Sequence, residues 1–315
     1  MGLTFNGKTP ESITIGGKAV ASLSINGDVV WPEQPAGPNY FYIENLYNGS
    51  NTIKLNKNGT PSAYVQYSFD KSTWTTCTYS SNVCSIPVSN LGDRVYFRSN
   101  GFSNHYSSSN YYNFAPTRDF KIGGDIRSLL STSFSEIDTA LSRCFYRMFY
   151  NATKLLRADD LDLSHITTLA ASCYCYMFYG CTSLIAAPEL PATTLATNCY
   201  MYMFQNCSSL ITAPTSLPAT TLASNCYHDM FYGCTSLIAA PEIYGLTIID
   251  YCFEYMFQNC SSLNKVITHA TSWNTTYTAY WLAGVSSTGD FYNLGGATIP
   301  TGSSGIPQGW TVHTS

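Results

Sequence analysis

The chain has 315 residues, enough for two or three domains, yet only 11% are charged and the net charge is -4, against about a quarter charged in an average soluble domain. No basic patch is present to neutralise phosphates, which argues against nucleic acid as a partner, and no apolar run approaches the roughly 18 residues of a membrane span. The polar surface must be built from Ser, Thr, Asn and the 25 tyrosines.

The opening stretch MGLTFNGKTPESITIGG has neither the basic n-region nor the apolar h-region of a secretory signal. TFNGK, TIGGK and SINGD follow one another every ten residues, with Phe5, Ile15 and Ile25 in one phase. Asn6-Gly7, Gly16-Gly17 and Asn26-Gly27 supply the positive φ of tight hairpin turns. Residues 1-34 therefore read as short strands ending at Trp31, too poor in apolar side chains for a core of their own. Phe5, Ile15, Ile25 and Trp31 are the candidate attachment residues of an element that docks elsewhere or trimerises. WPEQPAGPN then reads as a linker.

Residues 39-125 alternate in strand fashion, in AYVQYSF, DRVYFRS and YYNFAP, which predicts an immunoglobulin-like β-sandwich. Cys77 and Cys84 are placed either to pair across a hairpin or to stay as buried thiols.

From residue 126 to 270 one unit recurs five times. Met148-Phe149, Met177-Phe178, Met203-Phe204, Met230-Phe231 and Met256-Phe257 are spaced by 29, 26, 27 and 26 residues. Four places before each Met stands Cys144, Cys173, Cys199, Cys226 or Cys252, and the next residue is aromatic. This i, i+1, i+4, i+5 stripe fits one side of a two-turn helix. Three places after the Met comes Asn or Gly, the residues that enter the left-handed conformation most cheaply, as at a helix C-terminus. Cys181, Cys207, Cys234 or Cys260 follows in four units, then a Leu that opens a short extended segment.

The expected fold class is thus mixed α and β: a β attachment element, a β-sandwich, then an α/β solenoid of strand, LPATTL-type connection and short helix. One such unit cannot bury its own apolar side, so neighbours must stack. The nine repeat cysteines form a structural thiol ladder of small buried hydrophobes. Within a unit they lie on the order of 10 Å apart by helical rise, too far for a disulfide, and their spacing suits no zinc site. Cys175 occupies a drifting position that reads as outward. Residues 271-315 drop the repeat and carry Trp273, Trp281 and Trp310, bulk suited to a C-terminal cap.

No catalytic, metal or cofactor site emerges. Glu189 and Glu242 share a column, but Thr215 interrupts it. Asp159, Asp160 and Asp162 fit no calcium loop, and His228 reads as solvated. What remains is a candidate binding surface on the outward side: Tyr176, Tyr202 and Tyr255, one place before the Met, with Tyr179 and Tyr232, two places after it. Such tyrosines serve either for contact with a partner or for packing between coils.

The run M-F-x-[GN]-C-[ST]-S-L followed by L-P-A-T-T-L resembles the leucine-rich-repeat relatives of bacterial surface proteins, the 26-residue lipoprotein type and the BspA-like type. The likeness covers about residues 141-270. The flanks YSFDKSTWTT, GDRVYFRSN and GSSGIPQGWTV look like the same architecture in gut Bacteroides-type bacteria and their bacteriophages. The resemblance implies a repeat array that displays a surface and brings no catalytic residues.

The function expected is that of a non-enzymatic bacteriophage virion protein, a head or tail fibre or capsid decoration at the virion surface. Its N-terminus would join other virion proteins, as a homo-oligomer such as a trimer. The array would meet a host-surface or mucosal glycan or protein, with no membrane insertion. The alternative is a bacterial cell-surface adhesin.

Overall fold

The computed structural model describes residues 38-60, 63-101 and 109-314, and before them the backbone of four short strands. The chain forms two compact units, Met1–Asn39 and Tyr40–Ser315. In the first, β1 (Ile13–Ile15) pairs antiparallel with β2 (Lys18–Val20), and β3 (Leu23–Ile25) with β4 (Asp28–Trp31). Ile15 stands opposite Lys18, Ile25 opposite Asp28, and Trp31 opposite Leu23. Phe5 lies outside the described residues.

The second unit opens with two facing sheets. β5 (Tyr42–Asn45), β7 (Val65–Ser68), β8 (Thr75–Thr76), β10 (Arg94–Ser99) and β12 (Phe120–Asp125) lie in one. β6 (Asn51–Asn58), β9 (Val83–Val88) and β11 (Tyr111–Phe114) form the other. Alternate residues such as Ile53, Leu55, Ile86, Val95, Phe97 and Phe114 are buried between them, as the period of two requires. The first sheet does not stop at the sandwich. β12 pairs in parallel with β13 (Leu155–Asp162), a strand of the first repeat unit.

The repeat units stack as parallel coils, but the expected helices are absent. Among the described residues no helix reaches seven residues, and the fold is nearly all β. The fold class of mixed α and β with an α/β solenoid is therefore wrong. In place of each helix the backbone makes a chain of tight turns. Tyr146, Met148, Tyr150 and Ala152 donate three residues back, to Arg143, Phe145, Arg147 and Phe149. The residues between them, Phe145, Arg147, Phe149 and Asn151, donate to Cys173, Cys175, Met177 and Tyr179 of the next coil. Half the N–H groups thus form a parallel ladder across coils, whereas an α-helix would spend all of them internally.

Every fourth residue of this turn chain has positive φ: Arg143, Arg147 and Asn151, then Ser172, Tyr176 and Gly180, then Asn198, Tyr202 and Asn206. The spacing of four is what mimics a helical stripe. It places Cys, aromatic, Met and Phe on the inner side just as a helix would, and all of them are buried.

The inner side chains form columns. Phe149, Phe178, Phe204, Phe231 and Phe257 stack at 5.3–5.4 Å between ring centroids. Beside them run Phe145, Tyr174, Tyr200, Tyr227 and Phe253 at 5.4–6.0 Å. Each fully buried ring contributes roughly 1.5–3 kcal/mol. Phe149 begins its column against Phe114 and Phe41 of the sandwich, and Trp281 ends both columns against Phe253 and Phe257. Sandwich and coils share one continuous core.

The final segment does more than close the end. β14 (Ser216–Leu217), β15 (Glu242–Ile243), β16 (Lys265–Thr268), β17 (Asp290–Asn293) and β18 (Thr311–Thr314) form one parallel sheet in that order, so the segment beyond residue 270 adds two strands to the stack. The indole N–H groups of Trp273, Trp281 and Trp310 donate to the carbonyls of Ser304, Gly305 and Ser286.

Candidate recognition surface

The outward residue before each repeat Met, and before Trp281 in the final segment, is held by the turn chain. Arg147, Tyr176, Tyr202, Asp229, Tyr255 and Tyr280 all have φ between 53° and 59°, a conformation costing a bulky side chain roughly 1–2 kcal/mol. Ladder hydrogen bonds and ring stacking offset that cost. Tyr176 stacks on Tyr202 at 4.6 Å, Tyr255 on Tyr280 at 5.7 Å, and in the neighbouring column Tyr150 on Tyr179 at 5.0 Å. The Tyr232 hydroxyl accepts from Asn259 Nδ2 at 3.2 Å. All five candidate tyrosines are half-buried. They form a wall in which four of them, Tyr176, Tyr179, Tyr202 and Tyr255, lie against other aromatic rings, so packing between coils and surface display are roles of the same rings. Burial raises the hydroxyl pKa of Tyr176 and Tyr202 above the ordinary value.

The wall changes chemistry at its start and in the middle. At its start the Arg147 guanidinium lies 4.9–5.5 Å from the rings of Tyr111, Tyr146, Tyr150 and Tyr176, cation–π contacts that tie the sandwich to the first two coils. In the fourth unit Asp229 stands where its neighbours have tyrosine. There the His228 ring meets Tyr202 and Tyr255 edge-on at 5.6 and 5.9 Å. Its Nε2 is 3.1 Å from Glu254 Oε2. Its Nδ1 is 2.6 Å from Asp229 Oδ2, a close contact without hydrogen-bond alignment. His228 is thus held between carboxylates, not solvated.

All nine ladder cysteines, Cys144, Cys173, Cys181, Cys199, Cys207, Cys226, Cys234, Cys252 and Cys260, are buried. They are more than apolar filler. Cys181, Cys207, Cys234 and Cys260 each donate S–H to the carbonyl of Phe149, Phe178, Phe204 or Phe231, one coil back, at 3.0–3.1 Å. Cys175, expected outward, is buried too. Burial pushes the Cys199 and Cys252 thiols up to about 12. Cys77 and Cys84 are both thiols, buried in the sandwich core.

Other polar groups resolve into local pairs. Glu189 accepts from the Thr215 N–H and hydroxyl, while Glu242 accepts from His269 at 2.7 Å. Asp159 pairs with Arg157, and Asp160 with Lys121 at 3.1 Å. Asp125, Asp162 and His165 bring ligand atoms within 4.8 Å of one another. Arg127 occupies both Asp125 oxygens, at 3.0 and 2.6 Å, so a cation there would face a guanidinium.

The sequence reading missed one arrangement, on the outer face of the parallel sheet. His269 stacks on Tyr244 at 4.4 Å and holds Glu242; His313 stacks on Tyr292 at 4.4 Å and holds Asp290 at 2.7 Å. The available signal was the recurrence of an acid two places before a Tyr, in EIY and DFY, each with a His in the following strand.

Comparison with protein-family models, curated proteins and solved structures gives no match for this chain. The leucine-rich-repeat resemblance rests on the repeat motif alone.

Proposed function

We propose that this chain is a non-enzymatic bacteriophage virion protein, a head or tail fibre or capsid decoration, that presents its coil stack to a host or mucosal surface. The observation that carries the reading is the tyrosine wall. Rings at Tyr150, Tyr176, Tyr179, Tyr202 and Tyr255 are fixed by the backbone and by one another, and preordered aromatic area binds a partner at low entropic cost. The low charge and the Ser, Thr and Tyr content suit recognition by stacking and hydrogen bonding. Attachment falls to the N-terminal strands, in assembly with other virion proteins or with further copies of the chain.

Labelled full-length protein is expected to bind whole gut Bacteroides-type cells, with binding reduced at least fivefold by Tyr202→Ala together with Tyr232→Ala. A chain lacking residues 1-34 is expected to bind cells still but to lose its place in the particle. Failure to bind any such strain, together with turnover of a surface polysaccharide, would replace this reading by an enzymatic one.

A further inference from the structure

The paired units on the sheet face have a geometry that the tyrosine wall does not share. Ile243, Val266, Thr268, Phe291 and Asn293 are buried, and the parallel register sets Ile243 opposite Thr268 and Tyr292 opposite His313. Alternation along each strand therefore puts Glu242, Tyr244, Ile267, His269, Tyr292 and His313 together on the other face. That face is open: the side chains of Glu242, His269, Asp290 and His313 are 27–53% exposed. In both units the carboxylate fixes Nε2 of the imidazole, which lies within 15° of parallel to the tyrosine ring. Each imidazole meets its carboxylate through a single nitrogen, and the Tyr244 hydroxyl also bonds Glu242. Half-buried Ile267 lies between the units, and Lys265 stands over the Tyr292 ring at 5.6 Å.

We propose that these two units, with Ile267 between them, form a binding strip for a neutral polyhydroxylated ligand, an extended glycan chain. The chemistry selects that class. Each unit offers both donors and acceptors, which hydroxyl groups match in either sense, and Ile267 with the ring edges meets the C–H face of a sugar. Two carboxylates against one lysine disfavour an anionic chain, and each carboxylate already has an imidazole partner, which weakens the attraction for a cation. Tyr244 and Tyr292 lie two strand spacings apart, about 9.6 Å, and two residues out of register along the strands, about 6.6 Å, so about 12 Å separates them on the diagonal. More than a disaccharide is therefore needed to span both units. The proposal rests on the reading of the chain as a surface-recognition protein, and it adds a second contact face and a ligand class.

The test uses the full chain, titrated calorimetrically with cello-, malto- and manno-oligosaccharides of two to six sugars, hyaluronan oligosaccharides as the anionic probe and chitosan oligosaccharides as the cationic one. At least one neutral series is expected to bind, with affinity rising from two to four sugars. Tyr292→Ala and His269→Ala should each weaken it at least tenfold, and Leu91→Ser, at an exposed site in the sandwich, should leave it unchanged. Because both substituted residues are partly exposed, unchanged thermal melting separates lost contact from lost fold. The proposal is overturned if no neutral series binds, if either charged probe binds better, or if binding survives both substitutions. Cell binding that persists without oligosaccharide binding would sink this inference and leave the proposed function standing; oligosaccharide binding without cell binding would do the reverse.

Discussion

The side chain of Asn206 lies over Gly233 on the next coil, so close that a Cβ at Gly233 would come within 2.7 Å of Asn206 Oδ1. Gly180 stands in the same relation to Asn151, and Gly284 to Asn259. Gly233 also has φ of 72°. Gly233→Ala is therefore expected to cost about 1–2 kcal/mol for the left-handed backbone plus a further share for the collision. In an Asn206→Gly background the second share should vanish. A double-mutant cycle by urea denaturation measures it, and a coupling energy near zero would contradict the contact.

The S–H of Cys207 donates to the Phe178 carbonyl within a fully buried setting. Cys207→Ala removes this donor and leaves a void, while the Phe178 carbonyl keeps only the Cys181 N–H. A loss of about 1–3 kcal/mol is expected, with Cys207→Ser retaining more stability than Cys207→Val, which fills the space but cannot donate. The order of the three denaturation midpoints checks this.

Alkaline pH should act on the whole ladder. The folded-state pKa of Cys199 and Cys252 is raised by burial from 9.0 to about 12, and that of Cys173, Cys207 and Cys226 also lies well above 9.0. Between these limits the unfolded chain has lost its thiol protons and the folded chain keeps them, so stability falls as pH rises. It should be insensitive to these groups below about pH 8 and drop from pH 9 upward, by about 1.4 kcal/mol per pH unit for each such thiol. Denaturation midpoints at pH 7, 9 and 10.5 test the slope; a flat profile would mean the thiols are not sequestered.

Phe204 stacks on Phe178 and on Phe231, each at 5.3 Å. Phe204→Ala should cost about 3–5 kcal/mol. Hydrogen exchange should show lost protection on both neighbouring coils, not on the substituted coil alone.

Much of this architecture was legible in the sequence. The period, the inward Cys, aromatic, Met and Phe, and the positive φ at Asn206 or Gly233 all follow from residue identity. The helix did not follow, because a turn chain with a left-handed residue every fourth place yields the same inward stripe. The composition held a warning: Cys, Tyr, Phe, Asn and Ser, which fill SCYCYMFYGC and NCYMYMFQNC, rank low as helix formers. The tyrosine wall was visible as positions but not as contacts. That Tyr176 and Tyr202 stack on each other depends on coil register, which no single unit specifies. The units of Tyr244 with His269 and of Tyr292 with His313 were hidden for a related reason, since each joins residues on two strands outside the repeat motif.

The alternation of Asn and Gly along the stack has a genetic corollary. MFYGCTSLIAAPE recurs at 177 and 230, and MFQNCSSL at 203 and 256, so the element that copies itself is a couplet of 53 residues. Inserting a single coil would set two amides or two glycines face to face. Inserting a couplet preserves the alternation and lengthens the array by about 9.6 Å, which gives descent a quantised way to adjust reach without redesigning either end.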